Sequence, residues 1–228
     1  MSHSFLAIMN ILKHPAVPFV LPLMSYILIQ LIGSKIHPDA KYITFPIAVT
    51  ACTFMVFYYL QHYPKLFEFK KPLATIGVGI VAAVLWIAPY DYFFLEEHPD
   101  PRSWFNPGAV FQDQQIVICS LIIRVFGSVV TIAMIEEIFW RGFLQRYLVN
   151  DDFQSVPVGK YTPFSFWGTA AMVVLIHADQ WQVALPWALI STSWFMVTKS
   201  LGSMILLHAV TNLGLALYVL HTGKFYFW

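Results

Sequence analysis

Charge is scarce in this chain. Asp, Glu, Lys and Arg make up 11% of its 228 residues, against about 25% in an ordinary soluble domain. So few charges cannot coat one apolar core, and 58% hydrophobic content with a mean hydropathy of +0.66 calls for lipid as the solvent. Thirteen basic residues against twelve acidic ones leave a net charge of +1, which excludes a broad cationic footprint for nucleic acid. Cysteine is nearly absent. Cys52 and Cys119 lie apart in apolar runs without a C-x-x-C spacing, so neither a disulfide framework nor a thiolate metal cage is indicated. H-E-x-x-H, G-x-S-x-G and phosphate-cradling glycine loops are missing too. No internal repeat, low-complexity tract or second domain interrupts 1–228, which reads as a single integral membrane domain.

What the chain has in quantity is long apolar runs. A transmembrane helix needs about 20 mainly apolar residues, and seven stretches qualify, approximately 15–33, 43–61, 73–93, 115–148, 164–181, 183–198 and 201–220. The runs are continuous, without the alternation of outer-membrane barrel strands. The expectation is therefore all-α: a polytopic bundle of about seven transmembrane helices, within a range of six to eight. Pro15, Pro18 and Pro22 break the first run, and no small-residue cleavage site follows, so a retained helix is expected in place of a cleaved signal. Cytoplasmic loops collect Lys and Arg. An inside N-terminus gives the inner side Lys13, Lys65, Lys70, Lys71, Arg146, Lys160 and Lys199, against Lys35, Lys41, Arg102 and Lys224 outside. The acidic 91–114 connection, with Asp91, Glu96, Glu97, Asp100 and Asp113, then reads as an exposed outer loop.

Ionisable groups inside a membrane are costly unless paired or facing a wet cavity. Those here are Arg124, Glu136, Glu137, Arg141, His177 and His208, with Asn212 beside them. Glu137 and Arg141, four apart, share one helix face in the favourable order for an ion pair. Glu136 turns away from that pair, which leaves it free to act as a general base; the competing reading is a helix end whose charges snorkel to headgroups. His208 and Asn212 are also four apart, and two donors aimed at one point make an oxyanion site, although such a pair also serves as interhelical glue. His177 alone reads as a packing residue and gains weight only from company. With a rise of about 1.5 Å per residue, Glu136, His177 and His208 lie roughly 18, 20 and 12 Å in from the inner ends of their spans. They can meet at one level, nearer the cytoplasmic face. Arg124 stands apart and receives no catalytic role: it pairs with an acid on another helix, or its span is shifted outward. Trp86, Trp104, Trp181, Trp187 and the 225–228 aromatics read as interfacial belts and lipid-facing packing.

Taken in order, Glu136-Glu137-x-x-x-Arg141, then His177, then His208-x-x-x-Asn212 resemble the motifs of the CAAX-protease and bacteriocin-processing (Abi) intramembrane protease family. The motif-bearing core runs over about 115–220. Val173 stands where that family usually has phenylalanine. The spacing and the closing stretch are also similar to a bacterial subgroup of CAAX prenyl protease-related proteins found with exosortase sorting systems. The resemblance implies an endopeptidase: Glu136 as the base that activates water, His177 as its partner, His208 and Asn212 on the oxyanion, and Glu137 with Arg141 bracing the site. It implies no cofactor, with zinc on Glu136, His177 and His208 as the alternative.

The function expected is hydrolysis of a peptide bond in a membrane-associated protein or peptide, admitted from the cytoplasmic leaflet of a bacterial inner membrane. The partners are that substrate and the bilayer; the oligomeric state is left open. Two readings compete. One is a non-catalytic scaffold or immunity protein on the same fold; the other is a transporter or proton relay, against which stands the lack of an inverted repeat.

Overall fold

The computed structural model describes residues 13–93 and 104–228, and among these every regular element is helical. Seven helical segments follow in order: α1 Val17–Ile36, α2 Lys41–Tyr58, α3 Pro72–Phe93, α4 Gln114–Tyr147, α5 Pro163–Ile176, α6 Trp181–Thr198 and α7 Leu201–Thr222. The all-α polytopic bundle expected from the sequence is what forms. Five segments, α1, α2 with its preceding turn, α3, α4 and α7, are long and apolar enough to cross a membrane. The fifth helix, α5, has 14 residues, or about 21 Å of rise against roughly 30 Å of hydrocarbon. The run 164–181 is thus not one span, because its helix stops at Ile176 and a turn follows.

Local chemistry sets these boundaries. The Asp113 side chain accepts from the Gln115 amide at 2.8 Å, and Thr162 with Ser165 forms a reciprocal capping box at the start of α5. Lys199 ends α6 in a left-handed conformation, and the Ser200 side chain then caps α7. The prolines that were expected to break the first run sit at its start and inside it: Pro18 in the first turn of α1 and Pro22 within the helix.

Of the helix pairs, α3 and α7 pack closely because Gly79 has no side chain. A Cβ there would meet the Leu207 carbonyl at 2.9 Å and Val210 at the same distance. At one end of the bundle, Lys70 and Ser203 exchange hydrogen bonds of 2.7 and 2.9 Å, and Arg146 donates to the Val156 and Gln154 carbonyls. At the other end, Asp91 accepts from Lys224 at 2.6 Å and from the Tyr218 hydroxyl at 2.7 Å, while Tyr42 packs on Phe105 and Phe111. The connections therefore sort to alternate ends, an arrangement common to the N-inside reading and its inverse. Asp91 is not a loop residue as expected, but lies in the last turns of α3. Glu96, Glu97, Asp100 and Arg102 of that connection, and the chain before Lys13, lie outside the described residues.

Candidate active site

The fourth helix is not a uniform α-helix. Residues Gly127–Ile132 and Ile138–Leu144 take wider π-helical turns, on either side of the short α-helical stretch Ala133–Glu137. Such turns change which faces consecutive side chains occupy and recur at functional sites. Gly127 opens the first of them against α2, where a Cβ would collide with Val49 and Phe45 within 2.8 Å.

Glu137 and Arg141 are fully buried, and the Arg141 Nη1 donates to Glu137 Oε1 at 3.3 Å. The sequence anticipated this pair. It did not anticipate that the same oxygen faces His208 Nδ1 at 2.9 Å, so that Glu137 braces α4 and also orients the imidazole of α7. On the far side, Arg141 Nη2 donates to Ser191 Oγ at 2.6 Å and Thr192 Oγ1 at 3.4 Å, both on α6. Trp187, 4% exposed, lies between Arg141 and His208: its ring faces the Arg141 guanidinium at 5.5 Å and meets His208 edge-on at 4.8 Å. Sequence reasoning missed Ser191 and Thr192, because hydroxyls on an apolar helix give no periodic signal. It misplaced Trp187, which is core and not lipid-facing.

Glu136 points elsewhere, as expected for the neighbour of a paired carboxylate. Its Oε2 accepts a long hydrogen bond from Trp140 Nε1 at 3.4 Å. Together with His177, His208 and Asn212 it lines a cavity of about 250 Å³. His177 does not project from the side of a helix. It sits just past the end of α5, with Nδ1 on the Val173 carbonyl at 2.9 Å and its ring edge-on to Trp86 at 5.6 Å. Val173 is fully buried, and its carbonyl orients the imidazole. Asn212 Nδ2 donates to the Ser128 carbonyl at 2.8 Å, within the first π-helical stretch, which leaves one amide N–H for the cavity.

Three expectations change here. Trp86, Phe227 and Trp228 line this same cavity and do not form a lipid belt with Trp181, which is 52% exposed. Arg124, set apart in the sequence, is also a lining residue. Among the described residues it has no carboxylate partner, and the rings of Phe45, Phe105 and Trp228 lie 4.8, 5.3 and 5.7 Å from its guanidinium. Finally, the cavity runs from Glu136 and His208 towards Phe227 and Trp228, the end that an inside N-terminus would place outside, and not towards the Ser200 end. The physical reason is the side to which α4 and α7 turn their polar groups: Arg124 and Asn212 both lie towards that end from Glu136 and His208.

Among the described residues no three of His, Cys, Asp and Glu gather to hold an ion; the Nδ1 atoms of His177 and His208 are turned to Val173 and Glu137, which leaves the Nε2 atom of each ring for other partners.

Neither a curated protein nor a solved structure matches the chain. Residues 118–214, which carry Glu136, Glu137, Arg141, His177, His208 and Asn212, match the family model described as Type II CAAX prenyl endopeptidase Rce1-like. That core, rather less than half of the chain, is similar to the CAAX-protease family, and it lies among helices long and apolar enough to cross a membrane.

Proposed function

We propose that this protein is an intramembrane endopeptidase in which Glu136 activates the attacking water. The observation that carries the reading is convergence: a carboxylate from α4, an imidazole from the α5–α6 turn, and an imidazole and amide from α7 line one cavity. Lipid permits such a group of polar side chains only where they are paired or wet.

In the proposed reaction, water between Glu136 and His177 attacks the scissile carbonyl and gives its proton to Glu136. The negative charge that develops on the carbonyl oxygen meets the free N–H of Asn212 and His208. With Nδ1 turned to Glu137, the His208 ring is oriented so that its other nitrogen can serve as the donor. Collapse of the tetrahedral adduct breaks the C–N bond, and Glu136 returns the proton to the leaving amine. Each step uses groups of this chain, so a chelator is expected to leave cleavage intact.

The membrane proteome tests this. C-terminal ends are compared between wild-type cells and cells carrying Glu136→Ala, which should accumulate an uncut substrate. Full function of Glu136→Gln in a deletion strain would refute the peptidase and favour a scaffold.

A further inference from the structure

Arg124 lies twelve residues before Glu136 on α4 and lines the same cavity. Its surroundings differ from those of a structural arginine. Among the described residues no carboxylate stands within ion-pair distance, whereas Arg141 has Glu137 at 3.3 Å, and the polar contact of Arg124 is the Tyr26 side chain; the Nε of each arginine is buried without a partner. Three aromatic rings enclose the guanidinium, from Phe45 on α2, Phe105 and Trp228. Ring faces attract a cation without neutralising it, and a neutral phenol does not either. A fixed positive charge, held in a rigid aromatic surround at the far end of a cavity, is a built receptor for an anion. Guanidinium geometry matches a carboxylate in particular, through two parallel N–H bonds.

We infer that Arg124 is a substrate-recognition residue that binds a carboxylate of the peptide in the cavity. This rests on the peptide-binding reading of that cavity given above. The carboxylate is either the peptide's own C-terminus or an acidic side chain. Twelve residues of helix, six of them in the wider π-helical turns, span at most about 18 Å along the axis, and an extended peptide covers about 3.3 Å per residue. The bond opposite Glu136 therefore lies no more than about five residues from the group held by Arg124.

Binding, separated from cleavage, tests the inference. The protein carrying Glu136→Gln, in lipid nanodiscs, is titrated with a fluorescein-labelled pentapeptide of alanine and leucine in three forms: free acid, carboxamide, and carboxamide with one internal aspartate. The free acid is expected to bind at least tenfold more tightly than the carboxamide, and that ratio should fall to about one when Arg124→Gln is added and recover in part with Arg124→Lys. Tight binding of the aspartate form alone assigns the site to an acidic side chain and still supports a carboxylate receptor. Equal binding of all three forms overturns the inference. Arg124→Met adds a readout independent of peptides: it removes an uncompensated charge, so its melting temperature should equal or exceed that of the parent, whereas a lower one would mark the arginine as structural. Cleavage by the unmutated protein is followed separately by mass spectrometry. Loss of carboxylate preference with cleavage intact would sink only the role of Arg124, and preference without cleavage only the peptidase.

Discussion

Two arginines of α4 make an instructive pair. Arg141 is fully buried, and both of its Nη atoms are answered, by Glu137 and by two hydroxyls of α6, with the face of Trp187 beside them. Arg124, on the same helix, is surrounded by aromatic rings and has no acid among the described residues. The first charge is spent inside the fold, and the second is left facing the cavity. A buried ion pair contributes little net stability, but breaking it strands the surviving charge. An unpaired charge at a cavity costs stability in the absence of ligand and is explained by binding. The same division separates the neighbouring carboxylates: Glu137 holds Arg141 and His208, whereas Glu136 has one long contact to Trp140.

The largest effect should come from the answered side. Arg141→Ala leaves Glu137 buried without its cation, at about 3–5 kcal/mol; folded, monodisperse yield after detergent extraction is expected to collapse. A normal yield would mean that Arg141 and Arg124 do not differ in kind. Glu136→Gln, on the unanswered side, should lower cleavage about 10²–10⁴-fold while the melting temperature stays within error of wild type; a folding defect would erase the distinction between the two carboxylates. Ser191→Ala removes one hydrogen bond to the buried guanidinium, about 1.5–3 kcal/mol, and should lower the melting temperature without abolishing folding. The smallest effect is at the surface. Hydrogen bonding and charge from Lys65 hold the Glu68 carboxyl below its usual range. Whatever stability that pair adds is present at neutral pH and lost as pH falls through the carboxylate range; it should vanish in high salt. A salt-resistant loss in Glu68→Gln would show that exposed charges here behave like buried ones.

Much of this site was legible in the sequence because the bilayer makes polar residues conspicuous. Glu136, Glu137, Arg141, His177, His208 and Asn212 stand out against apolar neighbours, and the i, i+4 spacing of Glu137 and Arg141 foretold their contact. The partners that complete the arrangement were not legible. Ser191, Thr192 and Trp187 look like ordinary packing residues, and nothing in their spacing links them to a guanidinium fifty residues away. Arg124 was conspicuous but misread, since a single cation in an apolar run says only that something must offset it.

The chain by itself determined its solvent, its helical class and the short roster of polar groups, because hydrophobicity and its periodicity are properties of consecutive residues. Which oxygen of Glu137 serves His208, that His177 closes α5 without projecting from its side, and that the aromatic segment after α7 folds onto Arg124 were decided by packing. Those facts depend on contacts between residues distant along the chain, and on two π-helical stretches whose turns set the facing of α4 only once its neighbours are in place.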